Sequence, residues 1–438
     1  MQETNIRDLY EAFVKCDQKI CTDTRKLEKG SVFFCLKGSN FNANEFAAKA
    51  LKGGCAYVVV DEEKHATNEK IFFVKDVLKA LQNLANHHRK QLKLQVLAIT
   101  GSNGKTTNKE LIKAVLSKNF KTLATIGNLN NHIGVPLTLL SLTKEHEIAI
   151  IEMGANHQGE INELCEIAEP DLGLITNIGK AHLEGFGGEE GVKKGKSELY
   201  RYIEKKGGRV FINGDDAVLQ ELAGAMDKIT YGTTKLYDVI GKQYNENEFV
   251  NFKWTTRYHE KDWTKLPMVK TQIIGHYNFI NLLCAVCVGN YFKIEDAKIN
   301  EALSEYVPGM NRSQLEKTKN NTLILDAYNA NPSSMKAAIE NFANLKAENK
   351  LLILGDMFEL GEYSQAEHKK IAELIIEKKL DDVILVGPEF SNASPTHFKS
   401  FLSTADCLGY LRSQIQKNKT VLIKGSRGMK LELLKEAL

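Results

Sequence analysis

The chain has 438 residues, and because single domains typically hold about 150 residues, this length predicts roughly three domains rather than one compact core. Hydrophobic residues make up 43% of the sequence and charged residues 26%, a balance that is typical of folded globular proteins and excludes disorder and collagen. The 58 Lys and Arg residues against 55 Asp and Glu leave a net charge of +3, so the composition does not indicate binding to nucleic acid or to an anionic membrane surface.

The first predicted unit, residues 1–93, alternates short apolar runs with helical patterns and is typical of a small α/β domain. Its predicted strands are 31–36, 56–60 and 71–74, and its predicted helices are 44–52 and 77–90. Just before Gln95 the pattern changes to longer strand-loop-helix units, and we place the first domain boundary there.

The second predicted unit, residues 94–307, begins as a parallel-sheet domain. Its predicted strands are 96–100, 148–152, 172–177 and 209–213, with a helix at 105–117. The strands end in polar residues, and because ligands of open α/β sheets bind outside the carboxyl ends of strands, we expect these ends to form the binding edge. The stretch 229–274, which contains Trp254, Tyr258 and Trp263, predicts an antiparallel sheet appended to this domain.

The third predicted unit, residues 308–438, follows a turn signal at Val307-Pro308-Gly309. It carries a second α/β series with predicted strands at 322–326, 350–354, 382–386 and 420–423. The last domain boundary is therefore placed at this turn.

The eight cysteines are scattered and follow no signal peptide, which favours a reducing cytoplasm. Cys284 and Cys287 form C-x-x-C within an apolar stretch, where we expect core packing rather than redox or metal chemistry. No apolar run approaches the roughly 20 residues that cross a bilayer, so we expect a soluble protein without membrane insertion.

A glycine-rich loop between strand 96–100 and helix 105–117 is the strongest local motif. Such a loop crowds backbone N–H groups around phosphate oxygens, while its lysine reaches the terminal phosphates and its threonine binds Mg²⁺. The alternative is a turn that only caps a structural helix. The spacing, G-x-x-G-K-T, is two residues shorter than the usual phosphate-loop motif. The predicted ATP-binding residues here are Gly101, Ser102, Asn103, Gly104, Lys105, Thr106 and Thr107.

Two residues beyond this loop carry candidate chemistry. Glu152 ends an apolar strand, where a buried carboxylate beside a nucleotide serves a metal better than it serves a core. His182 follows the next strand within a glycine-rich segment. Residue chemistry alone leaves His182 open between a functional and a surface role, because Mg²⁺ prefers oxygen ligands.

Motifs recur along the whole chain, at 22–25, 32–38, 101–107, 127–136, 152–161, 181–187, 275–281, 326–332, 354–361 and 424–427. In these stretches the sequence resembles the Mur ligases, and the resemblance runs through all three units in order. The resemblance implies an α/β fold of three domains: a small amino-terminal α/β domain for the UDP-substrate, a central P-loop ATPase-like domain, and a Rossmann-like carboxyl-terminal domain that contributes to nucleotide and dipeptide binding.

The resemblance also implies an ATP-dependent, ADP-forming amide ligase of peptidoglycan precursor synthesis. The stretches look most like the family member that adds D-alanyl-D-alanine to UDP-N-acetylmuramoyl-tripeptide through an acyl phosphate. A carboxylate is a poor electrophile until one of its oxygens becomes a phosphate leaving group, so the chemistry is sound. We expect a cytoplasmic monomer whose partners are these two small-molecule substrates, with no nucleic acid.

Two Mg²⁺ ions are implied by the resemblance, together with ATP as cofactor. Thr106 and Glu152 would hold the nucleotide ion, and His182 a second ion near the acyl phosphate. Lys196 aligns with a lysine that many Mur ligases carry as a carbamate, which would make it a metal ligand. The plainer interpretation of its three-lysine cluster is a solvated helix face. The implied catalytic set is Lys105, Glu152, His182 and Lys196.

Further binding residues follow from the resemblance alone. The nucleotide-binding candidates are Asn278, Asn281, Arg312 and Asp326. The substrate-binding candidates are Thr24, Arg25 and Lys37 for the uridine end, and Asn130, Asn131, Tyr328, Asn329, Asn331, Lys424 and Arg427 elsewhere. Two inserted residues separate Arg312 from the Pro-Gly pair that precedes the family arginine directly, which leaves its role open.

Several alternatives stay open at this level. They are the family member that adds the third amino acid, folylpolyglutamate synthetase, and a nucleotide-binding regulatory module that no longer catalyses. The first usually carries an Asp-Asn-Pro-Arg segment that this sequence lacks. The sequence does not distinguish diaminopimelate from lysine as the third residue of the tripeptide.

Overall fold

The computed structural model describes residues 3–244, 248–258, 262–309, 311–393 and 397–438. Within these residues the strands build three mostly parallel sheets and a short hairpin, with helices packed against the sheets. The α/β class predicted from the sequence is therefore confirmed. Searching the described segments for a helix both long and apolar enough to cross a membrane finds none.

The amino-terminal part of the chain forms a small parallel sheet covered by helices. Its strands are β1 Ile20–Cys21, β2 Val32–Phe34, β3 Lys37–Gly38, β4 Phe41–Asn42, β5 Tyr57–Val60 and β6 Ile71–Phe73. Its helices are α1 Ile6–Lys15, α2 Ala47–Lys52 and α3 Val77–Gln91. The sheet order is β1-β2-β5-β6, and β3 pairs with β4 in the hairpin. The predicted helix 44–52 begins as a 3-10 turn, Ala43–Phe46, ahead of α2.

The central part of the chain forms the largest sheet. Its strands are β7 Gln95–Thr100, β8 Thr122–Ala124, β9 Ile148–Glu152, β10 Leu172–Ile175, β11 Arg209–Asn213, β12 Lys228–Gly232, β13 Val239–Tyr244, β14 Phe249–Thr256 and β15 Val269–Ile274. Its helices are α4 Lys105–Leu116, α5 Gly134–Leu140, α6 Glu160–Ala168, α7 Leu183–Phe186, α8 Glu189–Lys196, α9 Glu198–Lys205, α10 Ala217–Ala223, α11 Asn278–Tyr291 and α12 Asp296–Glu305. The strand order is β15-β14-β13-β12-β11-β10-β7-β9-β8.

The stretch 229–274 differs in part from its prediction. Strands β13, β14 and β15 pair antiparallel, as expected. Strand β12 instead pairs in parallel with both β11 and β13, so the antiparallel strands extend the central sheet rather than form an appended one. Trp254 lies in β14, whereas Tyr258 and Trp263 lie outside the strands.

The carboxyl-terminal part of the chain forms the third sheet. Its strands are β16 Gln314–Lys317, β17 Thr322–Asp326, β18 Lys350–Gly355, β19 Val383–Val386, β20 Lys399–Phe401 and β21 Thr420–Lys424. Its helices are α13 Pro332–Asn344, α14 Ser364–Glu377, α15 Pro388–Ala393 and α16 Thr404–Ser413. The order is β16-β17-β21-β18-β19-β20, in which β16 runs antiparallel to β17 and the other pairs are parallel.

Helix α3 fastens the amino-terminal sheet to the central one, because it packs against α5 and α6. The Asn86 amide donates to the Ile167 carbonyl over 3.0 Å, and the Arg89 guanidinium donates to the Ala168 carbonyl over 3.2 Å. The domain limits at 93/94 and 307/308 stay a prediction.

The cysteines are all buried and free. Cys284 and Cys287 lie in α11, an apolar helix that packs on α4 within the central core. The prediction that this C-x-x-C pair serves core packing is therefore confirmed.

The carboxyl ends of strands from two sheets face one cleft. Glu152 ends β9 and Asn213 ends β11 on the central side, while Asp326 ends β17 and Lys424 ends β21 on the opposite side. All four line the same cavity. The predicted binding edge thus includes the third sheet as well as the central one.

Candidate active site

A cavity of about 900 Å³ separates the central and third parts of the chain. Most of the residues predicted from the sequence line it. They are Ser102, Asn103, Gly104, Lys105, Thr106, Thr107, Asn130, Asn131, Glu152, His182, Asn278, Asn281, Arg312, Asp326, Tyr328, Asn329, Asn331, Lys424 and Arg427. The volume is of the size that nucleotides and drug-sized ligands fill in proteins.

The glycine-rich loop has the geometry of a phosphate cradle. Gly101 and Gly104 adopt φ of +138° and +76°, which only glycine tolerates without strain. The residue that follows β10 holds the loop in place, because the Thr176 hydroxyl donates to the Asn103 carbonyl over 2.6 Å. Helix α4 starts at Lys105, so its free N–H groups face the cavity.

Lys105 folds back over its own loop. Its ammonium donates to the Gly101 carbonyl over 2.7 Å and to the Ser102 carbonyl over 3.3 Å. Burial lowers the pKa of Lys105 and the nearby Arg312 adds to this, while Glu152 opposes it. An anionic phosphate at this place would relieve the cost of desolvating the charge.

Gly101→Ala is expected to weaken ATP binding by about fivefold to 150-fold, since overpacking at a close-packed site typically costs about 1–3 kcal/mol. A Cβ at this position would lie 2.9 Å from the Thr176 backbone nitrogen and would force the loop away from β10. Calorimetry with a non-hydrolysable ATP analogue measures the change. The matched control is Gly207→Ala, where φ is also positive, at +68°, but no atom lies within 4 Å of the added carbon. Equal ATP affinities for the two variants would contradict the assignment of the loop.

Glu152 is buried at the floor of the cavity and is held from several sides. Its Oε2 accepts from the Thr106 hydroxyl over 2.9 Å, and its Oε1 accepts from the Asn130 amide over 2.8 Å. The ammonium of Lys109 lies 3.8 Å from Oε2. The carboxylate therefore faces the phosphate loop in an oriented, charge-balanced position.

These donors fit one Mg²⁺ ion beside the loop. Carboxylate and hydroxyl oxygens are its preferred protein ligands, and the ion usually completes its shell with phosphate oxygens and water. The described residues contain no group of three or more His, Cys, Asp or Glu side chains that would hold a metal on its own. Thr106 and Glu152 match a metal that arrives with a nucleotide.

His182 meets the third part of the chain across the cavity. It stands before α7 in the left-handed region, with φ of +53°. Its Nδ1 lies against the carboxylate of Glu359, and this contact lowers the pKa of Glu359. The backbone strengthens the junction, because the Glu184 N–H donates to the Glu359 carbonyl over 3.3 Å. The histidine predicted to be functional is thus oriented by a residue from the other side of the cleft.

Lys196 is fully buried at the end of α8. Its ammonium donates to the Ala155 carbonyl over 3.0 Å and lies 4.9 Å from the centre of the Phe186 ring. Burial lowers the pKa of Lys196 far below its ordinary value, and Lys105 contributes in the same direction. The side chain does not line the cavity itself, although Ala155 does. The alternative of a solvated face is wrong for Lys196.

Arg312 reaches the cavity despite the two inserted residues before it. Its guanidinium lies 3.6 Å from the centre of the Tyr328 ring, and that of Arg427 lies 5.1 Å from the same centre. The Nε of Arg312 is buried and finds no hydrogen-bond partner among the described residues. Lys424, in contrast, pairs with Asp326 over 2.7 Å. Two cations therefore flank Tyr328 at the cavity wall.

Asn278 and Asn281 belong to a chain of amides between α4 and α11. The Asn108 amide donates to Asn281 Oδ1 over 2.8 Å, and the Asn281 amide donates to Asn278 Oδ1 over 2.8 Å. Asn278 in turn donates to the Ile274 carbonyl. Both predicted asparagines line the cavity, and their orientation is set by this chain.

Asn331 and Asn329 approach from the third part of the chain. The Asn331 amide donates to Asn103 Oδ1 over 2.7 Å, which joins α13 directly to the phosphate loop. The Asn329 carbonyl accepts from the ammonium of Lys424 over 3.2 Å. Asn131 acts locally, because its Oδ1 accepts from the Gly134 N–H at the start of α5.

The three amino-terminal candidates lie outside this cavity. Arg25 is exposed and pairs with Asp23, and Thr24 stands between them. Lys37 pairs with Asp61 over 2.8 Å and with Glu62. The structure therefore does not bring the predicted uridine-binding residues together with the nucleotide residues.

Among the residues that sequence reasoning did not single out are Glu359, which lines the cavity, and Lys109, which lies behind the phosphate loop. Glu359 lies within the matched stretch 354–361, but nothing in its local pattern shows that it meets His182. Lys109 follows Lys105 by one helical turn, and this spacing places both on one face of α4. That signal was present, yet a helical lysine is usually taken for a surface residue.

Comparison with known proteins agrees with this geometry. A family model described as "Mur ligase middle domain" matches residues 99–289, and one described as "Mur ligase, glutamate ligase domain" matches residues 311–427. A UDP-N-acetylmuramoyl-tripeptide–D-alanyl-D-alanine ligase from Bacillus subtilis is 36% identical over 94% of this chain and 91% of its own length.

Solved structures give the same relationship. The crystal structure of MurF from Acinetobacter baumannii has a TM-score of 0.87 and 32% identity, covering 100% of this chain and 98% of its own. The crystal structure of MurF from Thermotoga maritima in complex with ADP has a TM-score of 0.85 and 25% identity, covering 96% and 97%.

Proposed function

This chain belongs to the Mur ligase family, and we propose that it joins D-alanyl-D-alanine to UDP-N-acetylmuramoyl-tripeptide while converting ATP to ADP and phosphate. The observation that carries this proposal is the single cavity that gathers the phosphate loop, Glu152 and His182 from one side and Tyr328, Asn331 and Arg427 from the other. The relatives that share nearly the full length of the chain carry the same activity in their names.

The reaction runs in two steps. A carboxylate oxygen of the tripeptide attacks the γ-phosphorus of ATP, the bond to the β-phosphate oxygen breaks, and ADP leaves. The amine of D-alanyl-D-alanine then attacks the acyl carbon, loses a proton, and expels inorganic phosphate as the amide bond forms. Each step moves negative charge near the loop, where Lys105 and the first N–H groups of α4 stabilise it.

We assign ATP to the phosphate loop, with Asn278, Asn281, Arg312 and Asp326 around the rest of the nucleotide. Arg312 supports this because its buried Nε lacks a hydrogen-bond partner within the described residues and its cation faces the cavity. Asp326 suits a ribose hydroxyl, although it must share its carboxylate with Lys424. The asparagine amides suit the edge of a base.

We assign the nucleotide Mg²⁺ to Thr106 and Glu152, and a second ion to His182 and a carbamate on Lys196. A bound Mg²⁺ offsets phosphate charge and fixes the reacting oxygens. Lys196 suits carbamate formation because its buried amine favours the neutral form that reacts with CO₂. The contact of His182 with Glu359 keeps the imidazole oriented at the cavity wall.

The two organic substrates occupy opposite ends of the site. The uridine end lies at the amino-terminal domain near Thr24, Arg25 and Lys37, where a diphosphate must compete with the existing ion pairs of Arg25 and Lys37. Asn130 and Asn131 border the tripeptide. The dipeptide lies at the third domain, where Tyr328, Asn329, Asn331, Lys424 and Arg427 supply hydrogen bonds and a cation for its carboxylate.

The remaining assignments rest on the reaction. We place the chain among the cytoplasmic steps of peptidoglycan precursor synthesis, where ATP and the UDP-linked substrate occur together. We also propose that the active unit is a monomer.

A coupled phosphate-release assay tests this function. Phosphate is expected to appear only when ATP, UDP-N-acetylmuramoyl-tripeptide and D-alanyl-D-alanine are all present. Substrates carrying diaminopimelate or lysine in third position are compared in parallel. Faster release with the UDP-linked dipeptide and a free amino acid would favour the ligase of the preceding step, and release with folate and glutamate would favour folylpolyglutamate synthetase. No release with any pair would favour a regulatory nucleotide-binding protein.

A further inference from the structure

Lys109 is a fully buried lysine that the reaction outlined above does not use. It lies on α4, one turn after Lys105 and three residues after Thr106. Buried lysines are rare because desolvating an ammonium costs several kcal/mol unless partners compensate for the lost water. The burial of this charge beside the phosphate loop therefore indicates that Lys109 has a specific role there.

The partners of Lys109 come from two directions. Its Nζ donates to the Thr125 carbonyl over 2.6 Å and to the Gly127 carbonyl over 3.3 Å. Both carbonyls lie in the loop that follows β8. The same atom lies 3.0 Å from Glu110 Oε1 and 3.8 Å from Glu152 Oε2. One ammonium thus connects helix α4, the loop after β8 and the buried carboxylate.

The loop after β8 carries Asn130, whose amide donates to the other oxygen of Glu152 over 2.8 Å. The Thr125 hydroxyl also accepts from the Glu152 backbone N–H over 2.9 Å. Lys109 therefore acts on Glu152 in two ways, by facing its carboxylate and by holding the loop that carries Asn130 and Thr125. Lys109 thus faces Oε2 of Glu152 directly and bonds the loop whose Asn130 donates to Oε1.

We propose that Lys109 is a positioning residue that holds Glu152, Thr106 and the 125–131 loop in the arrangement that binds the metal of a metal–nucleotide complex. It does so by balancing the buried charge of Glu152 and by fixing the loop through the Thr125 and Gly127 carbonyls. The inference rests on the nucleotide-binding part of the proposed function. It does not depend on which acceptor the enzyme uses.

The test compares Lys109→Met with a matched control, Lys350→Met. Methionine keeps most of the length of the side chain, ending where the lysine ammonium begins, and removes the charge. Lys350 is a partly buried lysine of the third sheet whose ammonium donates to the Ala343 carbonyl over 2.7 Å. Both variants lose a lysine that holds a backbone carbonyl, but only one loses a cation beside Glu152.

The first readout is binding rather than turnover. Mn²⁺ is titrated with the protein and ADP, and electron paramagnetic resonance measures how much of the ion is bound. Calorimetry measures the affinity for ADP in the presence of a chelator. Lys109→Met is expected to weaken Mn²⁺ binding by about tenfold or more, the usual cost of losing a partner behind a metal ligand. ADP affinity without metal is expected to stay within threefold. Unchanged Mn²⁺ binding in a folded Lys109→Met protein would overturn the proposal.

The second readout keeps the proposal testable if the single variant folds poorly. Removing Lys109 takes away the cation that lies 3.8 Å from the buried Glu152 carboxylate, so Tm is expected to fall by about 6 °C or more. Adding Glu152→Gln removes that charge, and the double variant is expected to regain part of the loss. A double variant as unstable as the sum of the two single changes would overturn the charge-balancing role.

These measurements use neither the UDP-linked substrate nor the dipeptide. If the parent protein binds Mn²⁺ with ADP but does not catalyse ligation, the proposed function is wrong. The result for Lys109 would still hold, because it depends on metal and nucleotide binding alone. Loss of Mn²⁺ binding in Lys350→Met as well would show a general effect of losing a lysine that bonds a backbone carbonyl, and would overturn the specific role of Lys109.

Discussion

Lys105→Ala is expected to lower kcat for ligation at least about 100-fold while leaving the fold intact. The proposed function gives this ammonium the role of neutralising charge on the transferred phosphate, and losing one such contact typically costs on the order of 3 kcal/mol in the transition state. The fold survives because Lys105 bonds within its own loop, to Gly101 and Ser102, and because burial disfavours its charged form. Phosphate release measures the fall in kcat, and thermal unfolding measures whether the fold is intact.

The control for Lys105→Ala is Lys113→Ala, two turns further along α4 on the exposed face of the same helix. It removes the same charge and the same side-chain length without touching the cavity. We expect its kcat to stay within twofold of the parent. Activity of Lys105→Ala within threefold of the parent would remove this lysine from the mechanism.

Lys196→Ala is expected to lose most activity and to regain part of it with acetate or formate at high concentration. An ammonium has no lone pair and carries the wrong charge for coordinating Mg²⁺, whereas a carbamate offers two anionic oxygens. Removing the side chain opens a space beside Ala155 and Phe186 that a small carboxylate can enter. The assay is phosphate release at a series of added carboxylates and added small amines.

The direction of rescue decides between two roles for Lys196. A cationic contact predicts rescue by methylamine or ethylamine and none by carboxylates. Lys194→Ala serves as the control, because Lys194 is exposed on the same helix and its loss is expected to leave activity unchanged and insensitive to both additives. Rescue by amines alone would show that the carbamate assignment is wrong.

Local patterns in the sequence predicted most of the secondary structure and the phosphate loop. Strand 148–152 and strand 209–213 are found with the predicted bounds, because a buried parallel strand is a short apolar run that ends in a polar residue. The loop at 101–107 was also predictable, since its glycines and its lysine stand directly between a strand and a helix.

Burial of individual lysines was not predictable from the local pattern. Lys193, Lys194 and Lys196 form one basic run, yet Lys194 is exposed, Lys193 pairs with Glu221 and Lys196 is fully buried. Helical periodicity turns neighbouring residues to different faces, and only the packing of α8 decides which face is covered.

Contacts between distant parts of the chain were likewise beyond the sequence. His182 and Glu359 meet because α7 docks against the turn before α14, and Asn103 meets Asn331 because α13 begins beside the phosphate loop. Such pairs depend on the relative placement of two sheets. Nothing in either segment alone specifies its partner.

The most direct test of the proposed reaction follows one oxygen atom. UDP-N-acetylmuramoyl-tripeptide labelled with ¹⁸O in the carboxylate that becomes the amide is incubated with ATP, D-alanyl-D-alanine and the enzyme, and the inorganic phosphate is analysed by mass spectrometry. An acyl phosphate predicts one ¹⁸O in each phosphate released, because the bridging oxygen leaves with phosphorus when the dipeptide amine attacks. Phosphate without ¹⁸O, formed together with the ligated product, would contradict the account.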